Sequence, residues 1–527
     1  MSNPPIPPKG SCRSYADYDV STTFWVKQKN NSSIKVKIGE SAVIPVTKKK
    51  WYTVMEIRSS RYKEYLSERM YSIFGKTPGA GALKSAQITL SGIARRQNII
   101  FSLYNRVAPD PNGNGFWIDL HTDDWRVIHV TEEGWEIKDR TPIPMFRRFN
   151  QGPLTIPIKT KNAKESVKKL LKHHNLESDV DKLIYMCALI SFFVPEIEHP
   201  GLSVSGSHGS GKTMFFELSK KIVDPIARNP KGETISMSDK EDNLTLQLYQ
   251  SHFPCFDNVS SLKGWQSNLL CRSITGGVII KRKLWTDGEV VMFQLRQCLG
   301  LDGINVPARK SDLMDRLILF KLERFKKNKS KAQIFVDFEK DRAEILGGIL
   351  TVLSNAIKIK KTIKIDNHQR LADFHEWGCA IAVALGYSVE EFNEAYDIKV
   401  NKQNEESLSS SLVATTLLDY LKNYVKEKID EVQYDNEDAV QTFTIEKTAT
   451  ELFREVTEFA NEKKIRTSKG YWPTDASQFS RKLNEVLPNL EKVGIIIKSH
   501  DTSTSKLKII DVTTLMSEQK EENIFKF

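Results

Sequence analysis

Residues 206–213 constrain the fold most strongly, because they fit the phosphate-loop pattern G-x-x-x-x-G-K-[ST] without a mismatch. In that pattern, backbone N–H groups curl around phosphate oxygens, the lysine adds a charge and the last hydroxyl ligates Mg²⁺. A strand-like segment, 202–205, precedes the loop and helix-like residues, 214–218, follow it, so a helix N-terminus would face the anion. The sequence therefore predicts a site for ATP and Mg²⁺, and the alternative is a Gly/Ser turn that binds nothing. The predicted loop residues are Gly206, Ser207, His208, Gly209, Ser210, Gly211, Lys212 and Thr213.

The length and charge of the chain indicate several domains and a polyanionic partner. At roughly 150 residues per domain, 527 residues predict three or four domains. The chain has 77 lysines and arginines against 66 acidic residues, a net charge of +11. This excess favours nucleic acid as a partner, although a lysine-rich solvated surface would give the same count.

Cysteine usage and hydropathy indicate the compartment. The six cysteines form no C-x-x-C pair, which favours reduced thiols over a zinc site or a disulfide framework. The N-terminus has no signal-peptide pattern, and the most apolar run, 183–194, falls short of the roughly 20 residues that span a bilayer. We therefore expect a cytoplasmic protein with no membrane association.

Patterning along the chain predicts four regions. Residues 1–155 contain short alternating segments, which are typical of a mixed, β-rich domain. Residues 156–330 hold the phosphate loop, 331–430 have helical apolar spacing, and 440–515 follow an acidic linker as a small domain. The first region has no paired carboxylates, so a primase site is not expected there.

Polar residues near the ends of later apolar segments are candidates for the metal and for the γ-phosphate. Asp257 ends a strand-like run and would hold Mg²⁺ through its waters. Another run ends near Asp302 and Asn305, where a third parallel strand would deliver a sensor; an acidic sensor would repel phosphate, which favours Asn305. Arg316 precedes a final strand and could reach the γ-phosphate of a neighbouring subunit, or could instead form a surface pair with an aspartate.

Two segments carry cations suited to DNA. An Asp-Gly turn between two strand-like runs predicts a hairpin whose first arm carries Lys281, Arg282 and Lys283. In the last region, two helices and two strands predict a winged helix whose second helix would bring Arg481 and Lys482 to the major groove. The alternatives are a solvated surface hairpin and a winged helix that contacts protein.

The order of these parts resembles the AAA+ ATPases of the superfamily 3 type from phages, plasmids and integrated mobile elements, often described as primase-helicases. The resemblance covers roughly residues 60–510 and is most specific from 200 to 320. Two residues depart from the family pattern: Asn258 stands where many AAA+ proteins have a water-activating glutamate, and Asp302 where the family has asparagine. The runs that carry the resemblance are 256–262, 270–277, 282–287, 302–304 with Arg309, 312–316 and 373–387.

The resemblance implies a multidomain α/β protein with an AAA+ P-loop core, a β-rich N-terminal domain, a helical region and a C-terminal winged helix. It implies an ATP-hydrolysing DNA helicase in a prokaryotic host cell, working as a hexameric ring with ATP between subunits. Lys212, Asp257 and Asn258 would act within a subunit and Arg316 across the interface, with single-stranded DNA in the pore. Two alternatives stay open: an initiator or loader that binds DNA without unwinding it, and a P-loop phosphotransferase for small molecules.

Overall fold

The computed structural model divides the chain into two compact units. The first contains the described residues within Met1–Val259, Arg272–Ile304 and Phe320–Ala395, and the second those within Ser260–Cys271, Asn305–Leu319 and Tyr396–Phe527. The residues that the structure describes are 23–24, 41–45, 52–97, 103–139, 141–143, 145–148, 150–227, 232–282, 290–308, 310–325, 330–365, 368–430, 440–468, 472–501 and 506–515.

Two small antiparallel sheets and a pair of helices come first. The elements are β1 (Thr23–Phe24), β2 (Ser41–Pro45), β3 (Tyr52–Glu56), α1 (Ser60–Phe74), α2 (Ala80–Gln97), β4 (Val107–Pro109), β5 (Gly115–Asp119), β6 (Val127–Thr131) and β7 (Gly134–Lys138). The strands pair in the orders β1-β2-β3 and β4-β5-β6-β7. The helix α1 begins at Ser59, whose hydroxyl accepts the N–H of Tyr62. These elements lie within residues 1–155, for which the alternating sequence predicts a mixed, β-rich domain.

A parallel sheet forms the centre of the first unit. The next elements are α3 (Ala163–Leu171), α4 (Asp179–Ser191), β8 (Gly201–Gly206), α5 (Lys212–Val223), β9 (Ile235–Ser236), α6 (Glu241–Tyr249), β10 (Cys255–Asp257), α7 (Gly264–Thr275), β11 (Val278–Arg282), β12 (Val290–Gln294), β13 (Gly300–Gly303), α8 (Ser311–Met314) and β14 (Leu317–Leu322). The sheet order is β14-β8-β13-β10-β9, and the pairs β8–β13, β13–β10 and β10–β9 are parallel. Its strands are almost fully buried, as expected for a parallel sheet covered on both faces.

The strands β11 and β12 form the predicted hairpin. They pair antiparallel from Val278 opposite Gln294 to Arg282 opposite Val290. One face lies against α6, where the ring of Phe293 meets the ring of Tyr249 edge-on with centroids 5.1 Å apart. The turn of the hairpin, including Lys283, lies outside the described residues.

Long helices follow the parallel sheet. They are α9 (Lys331–Lys360), α10 (Ala372–Ala384), α11 (Val389–Ser409) and α12 (Leu412–Asp430). In the first unit, α9 contacts α3, α5 and α10, and its buried face includes Ile345, Ile349 and Val352. This spacing of three and four residues is the helical period that the sequence shows in this region.

The C-terminal elements share one core with α12. They are β15 (Val440–Thr448), α13 (Ala449–Glu462), α14 (Ala476–Asn484), α15 (Leu487–Lys492), β16 (Ile495–Asp501) and β17 (Lys506–Leu515). The strands form an antiparallel sheet in the order β15-β17-β16. Leu417 and Leu421 of α12 pack in the same cluster as Val456 and Phe479, and the Asp475 side chain caps α14 by accepting the N–H of Gln478. The strand β15 and the short helix α15 were not predicted.

The cysteines that the structure describes are all buried: Cys187, Cys255, Cys271, Cys298 and Cys379. Burial raises the pKa of four of their thiols, those of Cys187, Cys255, Cys298 and Cys379. Cys12 lies outside the described residues. The apolar run 183–194 forms most of the buried helix α4, and no helix in the described part of the chain is long and apolar enough to cross a bilayer.

Candidate nucleotide site

The phosphate-loop residues connect the end of β8 to the start of α5. Gly206 has φ 156° and Gly211 has φ 88°, and both are closely packed. A Cβ atom would lie 2.4 Å from the Leu322 carbonyl oxygen at Gly206, and 2.7 Å from the Phe325 ring at Gly211. Only glycine fits these two positions, so the loop needs the residue type that the motif specifies.

The side chain of Lys212 folds back over the start of the phosphate loop. Its Nζ donates to the carbonyl oxygen of Gly206 at 2.8 Å and to that of Ser207 at 3.0 Å. An ammonium group has three hydrogens, so one remains for an anion in the loop. The N-terminus of α5, with its unpaired N–H groups and positive dipole end, starts at the same residue. The loop therefore presents positive charge at its concave side.

A hydroxyl and a carboxylate meet beside the loop. Thr213 Oγ1 donates to Asp257 Oδ1 at 3.1 Å, and Asp257 ends the strand β10. Both oxygens suit Mg²⁺. The described residues contain no cluster of three or more His, Cys, Asp or Glu that could hold a metal. A Mg²⁺ ion here would complete its octahedron with waters and phosphate oxygens, which is its usual mode of binding.

Asp302 holds the turn that follows Asp257. Asp302 lies on β13 and is 1% exposed; its Oδ1 accepts the backbone N–H of Asn258 at 2.7 Å and its carbonyl accepts that of Val259 at 2.7 Å. Burial, assisted by the neighbouring Asp257 carboxylate, raises the pKa of Asp302 to about 7. Asn258 has a φ of 54° and is exposed. Asp302 therefore lies at the predicted sensor strand with its carboxyl directed to this turn, whereas Asn305 is exposed and belongs to the second unit.

Two residues without a sequence signal support the loop from outside. Asn175 Nδ2 donates to the carbonyls of Ser210 and Glu323, and Arg324 Nε donates to the carbonyl of His208 at 3.2 Å. Asn175 is 35 residues and Arg324 is 116 residues from the loop residue that each contacts. Such contacts connect distant parts of the chain, so no local pattern reveals them.

A buried ionic network lies at the far end of α5. Asp224 caps this helix and accepts hydrogen bonds from both charged groups nearby, Arg106 at 3.0 Å and Lys220 at 3.2 Å. Burial disfavours its charge, but Lys220 and Arg106 outweigh this and hold the pKa of Asp224 well below its ordinary value. Its other donors are Gln151, the Ser251 hydroxyl and the backbone N–H groups of His252 and Phe253. The network joins the phosphate-loop helix to the segment that leads into β10 and to the β4–β7 sheet.

Arg316 belongs to the second unit, and the phosphate loop to the first. Its guanidinium bonds to the carboxylate and backbone carbonyl of Asp312, one turn earlier, and its side chain is 15% exposed. This is the local arginine–aspartate pair that the sequence offers as the alternative to a role across subunits. Arg309 lies outside the described residues.

The predicted DNA-contacting cations differ in their surroundings. Lys281 Nζ lies 2.6 Å from the Asp242 carboxylate and its side chain is 18% exposed, whereas Arg282 is exposed. Arg481 and Lys482 are exposed on α14, whose opposite face buries Phe479. The hairpin lysine is therefore paired with a carboxylate, and the α14 cations face solvent.

Two family models match the chain in succession. One, described as the replication protein of actinomycete integrative conjugative elements, RepA, matches residues 167–404, and the other, the RepA C-terminal domain of these elements, matches 413–522. Together these consecutive parts of one family cover more than half of the chain. The chain belongs to this family. Membership places it among the replication proteins of mobile elements, and the phosphate loop, Asp257, Asp302 and Arg316 all lie within the first matched stretch.

Two solved structures align with the chain at low sequence identity. The A-form apo structure of the NrS-1 C-terminal region aligns with 90% of this chain and 94% of its own, at 15% identity and a TM-score of 0.37. A crystal structure of JCV helicase with a bound acetamide compound aligns with 43% of this chain and 66% of its own, at 14% identity and a TM-score of 0.24. A search of curated proteins found no match.

Proposed function

We propose that this RepA-family member is an ATP-dependent DNA helicase that works as a ring, most simply a hexamer, in the replication of its element. The observation that carries the proposal is the Thr213–Asp257 pair beside Lys212, at the carboxyl ends of parallel strands. Ligands bind at this edge of open α/β sheets. The replication role of the family makes DNA the substrate on which ATP hydrolysis would act.

Within one subunit, the loop residues would bind the triphosphate. Lys212 would exchange its bonds to the Gly206 and Ser207 carbonyls for the β- and γ-phosphate oxygens. Thr213 would ligate Mg²⁺ directly and Asp257 through water, and the metal would supply neutralising charge. The support for this assignment is chemical: the Thr213 hydroxyl meets the Asp257 carboxylate, and the Lys212 ammonium lies on the loop carbonyls one residue earlier in the chain.

Two further groups would act on the reaction itself. The carboxamide of Asn258 does not take up a proton at neutral pH, so it would orient the attacking water by hydrogen bonding and would not act as a base. Arg316 would reach the site of a neighbouring subunit and stabilise the charge of the transition state, because a guanidinium matches the phosphoryl oxygens. Leaving Asp312 for that site would cost little, since the pair is local and partly exposed.

DNA would contact two surfaces. The order of elements α12, β15, α13, α14, β16 and β17, with β17 central in its sheet, supports a winged helix. Its helix α14 would bring Arg481 and Lys482 to duplex DNA. Arg282 and Lys283 of the hairpin would contact single-stranded DNA in the pore, while Lys281 would anchor the hairpin to α6 through Asp242.

The decisive experiment measures ATP hydrolysis with and without single-stranded DNA. We expect DNA to stimulate turnover, and Lys212→Ala to reduce it by about 100-fold or more while DNA binding persists. Lys168→Ala, at a partly exposed lysine paired with Glu165, is the matched control and should behave as wild type. Normal turnover in Lys212→Ala would refute the site, and turnover indifferent to DNA would favour a phosphotransferase.

A forked DNA substrate separates a helicase from an initiator or loader. Strand separation that depends on hydrolysable ATP and on Lys212 supports the proposal. DNA-stimulated hydrolysis without strand separation would replace it with an initiator or loader. Size-exclusion chromatography with light scattering in the presence of ATP tests the ring, and a monomer at every concentration would contradict it.

A further inference from the structure

The segment that carries Arg316 is held by side chains from the C-terminal part of the second unit. Gln403 Nε2 donates to the Met314 carbonyl at 3.1 Å, and Lys399 Nζ donates to the Leu319 carbonyl. Gln403 is 8% and Lys399 is 2% exposed. They lie four residues apart on α11, so they share one face and fix the backbone on both sides of Arg316.

The next residue of α11 links the same helix to the C-terminal core. Asn404 Nδ2 donates to the Asn489 carbonyl at 3.1 Å, and Asn489 Nδ2 donates to Asn404 Oδ1 at 2.7 Å. Both side chains are almost fully buried, at 4% and 1% exposure. Separately, the Ser311 hydroxyl donates to the carbonyl of Glu485, the residue that ends α14, at 2.8 Å. The segment of Arg316 and the helix of Arg481 and Lys482 are therefore connected through α11 and through Ser311.

These hydrogen bonds contribute little net stability to the folded protein. Four buried polar side chains on α11 and α15 lose rotamer freedom and water, and each gives back about 1 kcal/mol as a hydrogen bond. An apolar core at the same place would be simpler to stabilise. Hydrogen bonds, unlike apolar packing, fix the position of the backbone around Arg316. A group that acts in a transition state needs positioning to within about 0.5 Å.

We propose that Gln403 is a positioning residue for Arg316. We also propose that α11, through the Asn404–Asn489 pair, couples the position of Arg316 to DNA binding by the C-terminal elements. DNA held at α14 then favours the arrangement in which Arg316 is ready for the neighbouring subunit. This inference rests on the proposed role of Arg316 across the interface, and the experiment below tests the two separately.

The test uses mixtures of two inactive variants. Lys212→Ala keeps a functional Arg316 but has no active phosphate loop, so it is the donor; Arg316→Ala keeps the loop and is the acceptor. Mixed rings contain composite sites, and ATP hydrolysis returns if Arg316 acts across subunits. A donor that also carries Gln403→Ala should restore about tenfold less activity, the factor that corresponds to about 1.4 kcal/mol. A donor that also carries Lys402→Ala, at the exposed neighbouring residue, should restore it fully.

The reciprocal mixture separates positioning from general damage. When Gln403→Ala is placed in the Arg316→Ala acceptor, the donor should restore activity fully, because the acceptor's own arginine segment is not used. Equal restoration by the Gln403→Ala and Lys402→Ala donors, or equal loss in the donor and acceptor roles, would overturn the inference. No restoration by the simple pair would instead refute the role of Arg316 across subunits. A second variant, Ser311→Ala, removes the half-buried hydroxyl that contacts Glu485. It should lower DNA stimulation while basal turnover stays unchanged, and unaltered stimulation would contradict the proposed link to α14.

Discussion

Replacing Asp224 with asparagine would test how the phosphate-loop helix is held. The change is nearly isosteric, but it removes the only carboxylate within hydrogen-bonding distance of Arg106 that the described residues provide. It also leaves Lys220 without its carboxylate. The side chains of Arg106 and Asp224 are 0% and 1% exposed, and that of Lys220 is 3% exposed, so water cannot replace the lost charge. Asparagine can still accept one or two of the remaining hydrogen bonds.

The expected loss follows from this geometry. Removing one partner of a buried ion pair destabilises a protein by about 3–5 kcal/mol, and the retained hydrogen bonds favour the lower end, about 3 kcal/mol. The loss also has a pH dependence. Because the folded-state pKa of Asp224 lies well below its ordinary value, its contribution is fully present above that ordinary value and disappears as the pH falls through the folded-state pKa. The difference between wild type and variant should therefore be complete at pH 7 and should shrink in acid, below about pH 4.

Urea unfolding followed by circular dichroism, at several pH values, measures this difference. The control is Asp179→Asn, which removes a carboxylate that pairs with Lys182 at 2.7 Å but is 97% exposed, and it should change stability by less than about 0.5 kcal/mol. A loss in Asp224→Asn no larger than that of the control at pH 7 would refute the reasoning. So would a difference of about 3 kcal/mol that persists unchanged into strong acid.

Three further predictions concern the site and the DNA surface. Gly206→Ala should abolish ATP binding in a fluorescent-nucleotide titration, because its Cβ would clash with the Leu322 carbonyl. Gly209→Ala, at φ 78° but with open space around its Cβ, should retain more ATP binding, and equal losses would contradict this. Asp302→Asn keeps an acceptor for the Asn258 N–H but cannot titrate. Burial raises the pKa of Asp302 to about 7, so the stability that protonation provides in the wild type is lost as the pH rises from about 4 through 7. The wild-type melting temperature should therefore fall relative to that of the variant over this range, and parallel curves would exclude this. Replacing Arg481 and Lys482 with glutamine should weaken DNA binding and reduce its salt slope by about 2, and an unaltered slope would remove them from the interface.

The parts of the site that are local in sequence could be predicted, and those that depend on distant contacts could not. The phosphate loop and the strand ending at Asp257 carry their own patterns: glycines at fixed spacing, and an apolar run closed by a carboxylate. The structure brings Thr213 and Asp257 together as those patterns imply. By contrast, Arg106 and Asp224 are 118 residues apart, and neither belongs to a motif.

The fold shows the same division. The helices α9 and α13 have strong apolar periodicity and were predicted, as was the hairpin of β11 and β12. The strand β15 was missed although Phe443 and Ile445 alternate with polar residues, because the stronger helical spacing that begins at Thr448 dominates this region. Its pairing with β17 joins residues that are 59 positions apart, at Thr448 and Leu507, to 75 positions apart, at Val440 and Leu515. No local pattern indicates such a partner.

The buried cysteines allow local opening of the core to be measured in the wild-type chain through the rate of thiol modification. A thiol reacts as the thiolate, and burial both raises the pKa of Cys187, Cys255 and Cys298 and blocks approach. Modification by a thiol reagent must therefore wait for local unfolding, and its rate reports the free energy of that opening. Cys255 begins the strand that ends in Asp257, so its rate of modification reports local opening of the strand that carries this carboxylate, without any introduced label.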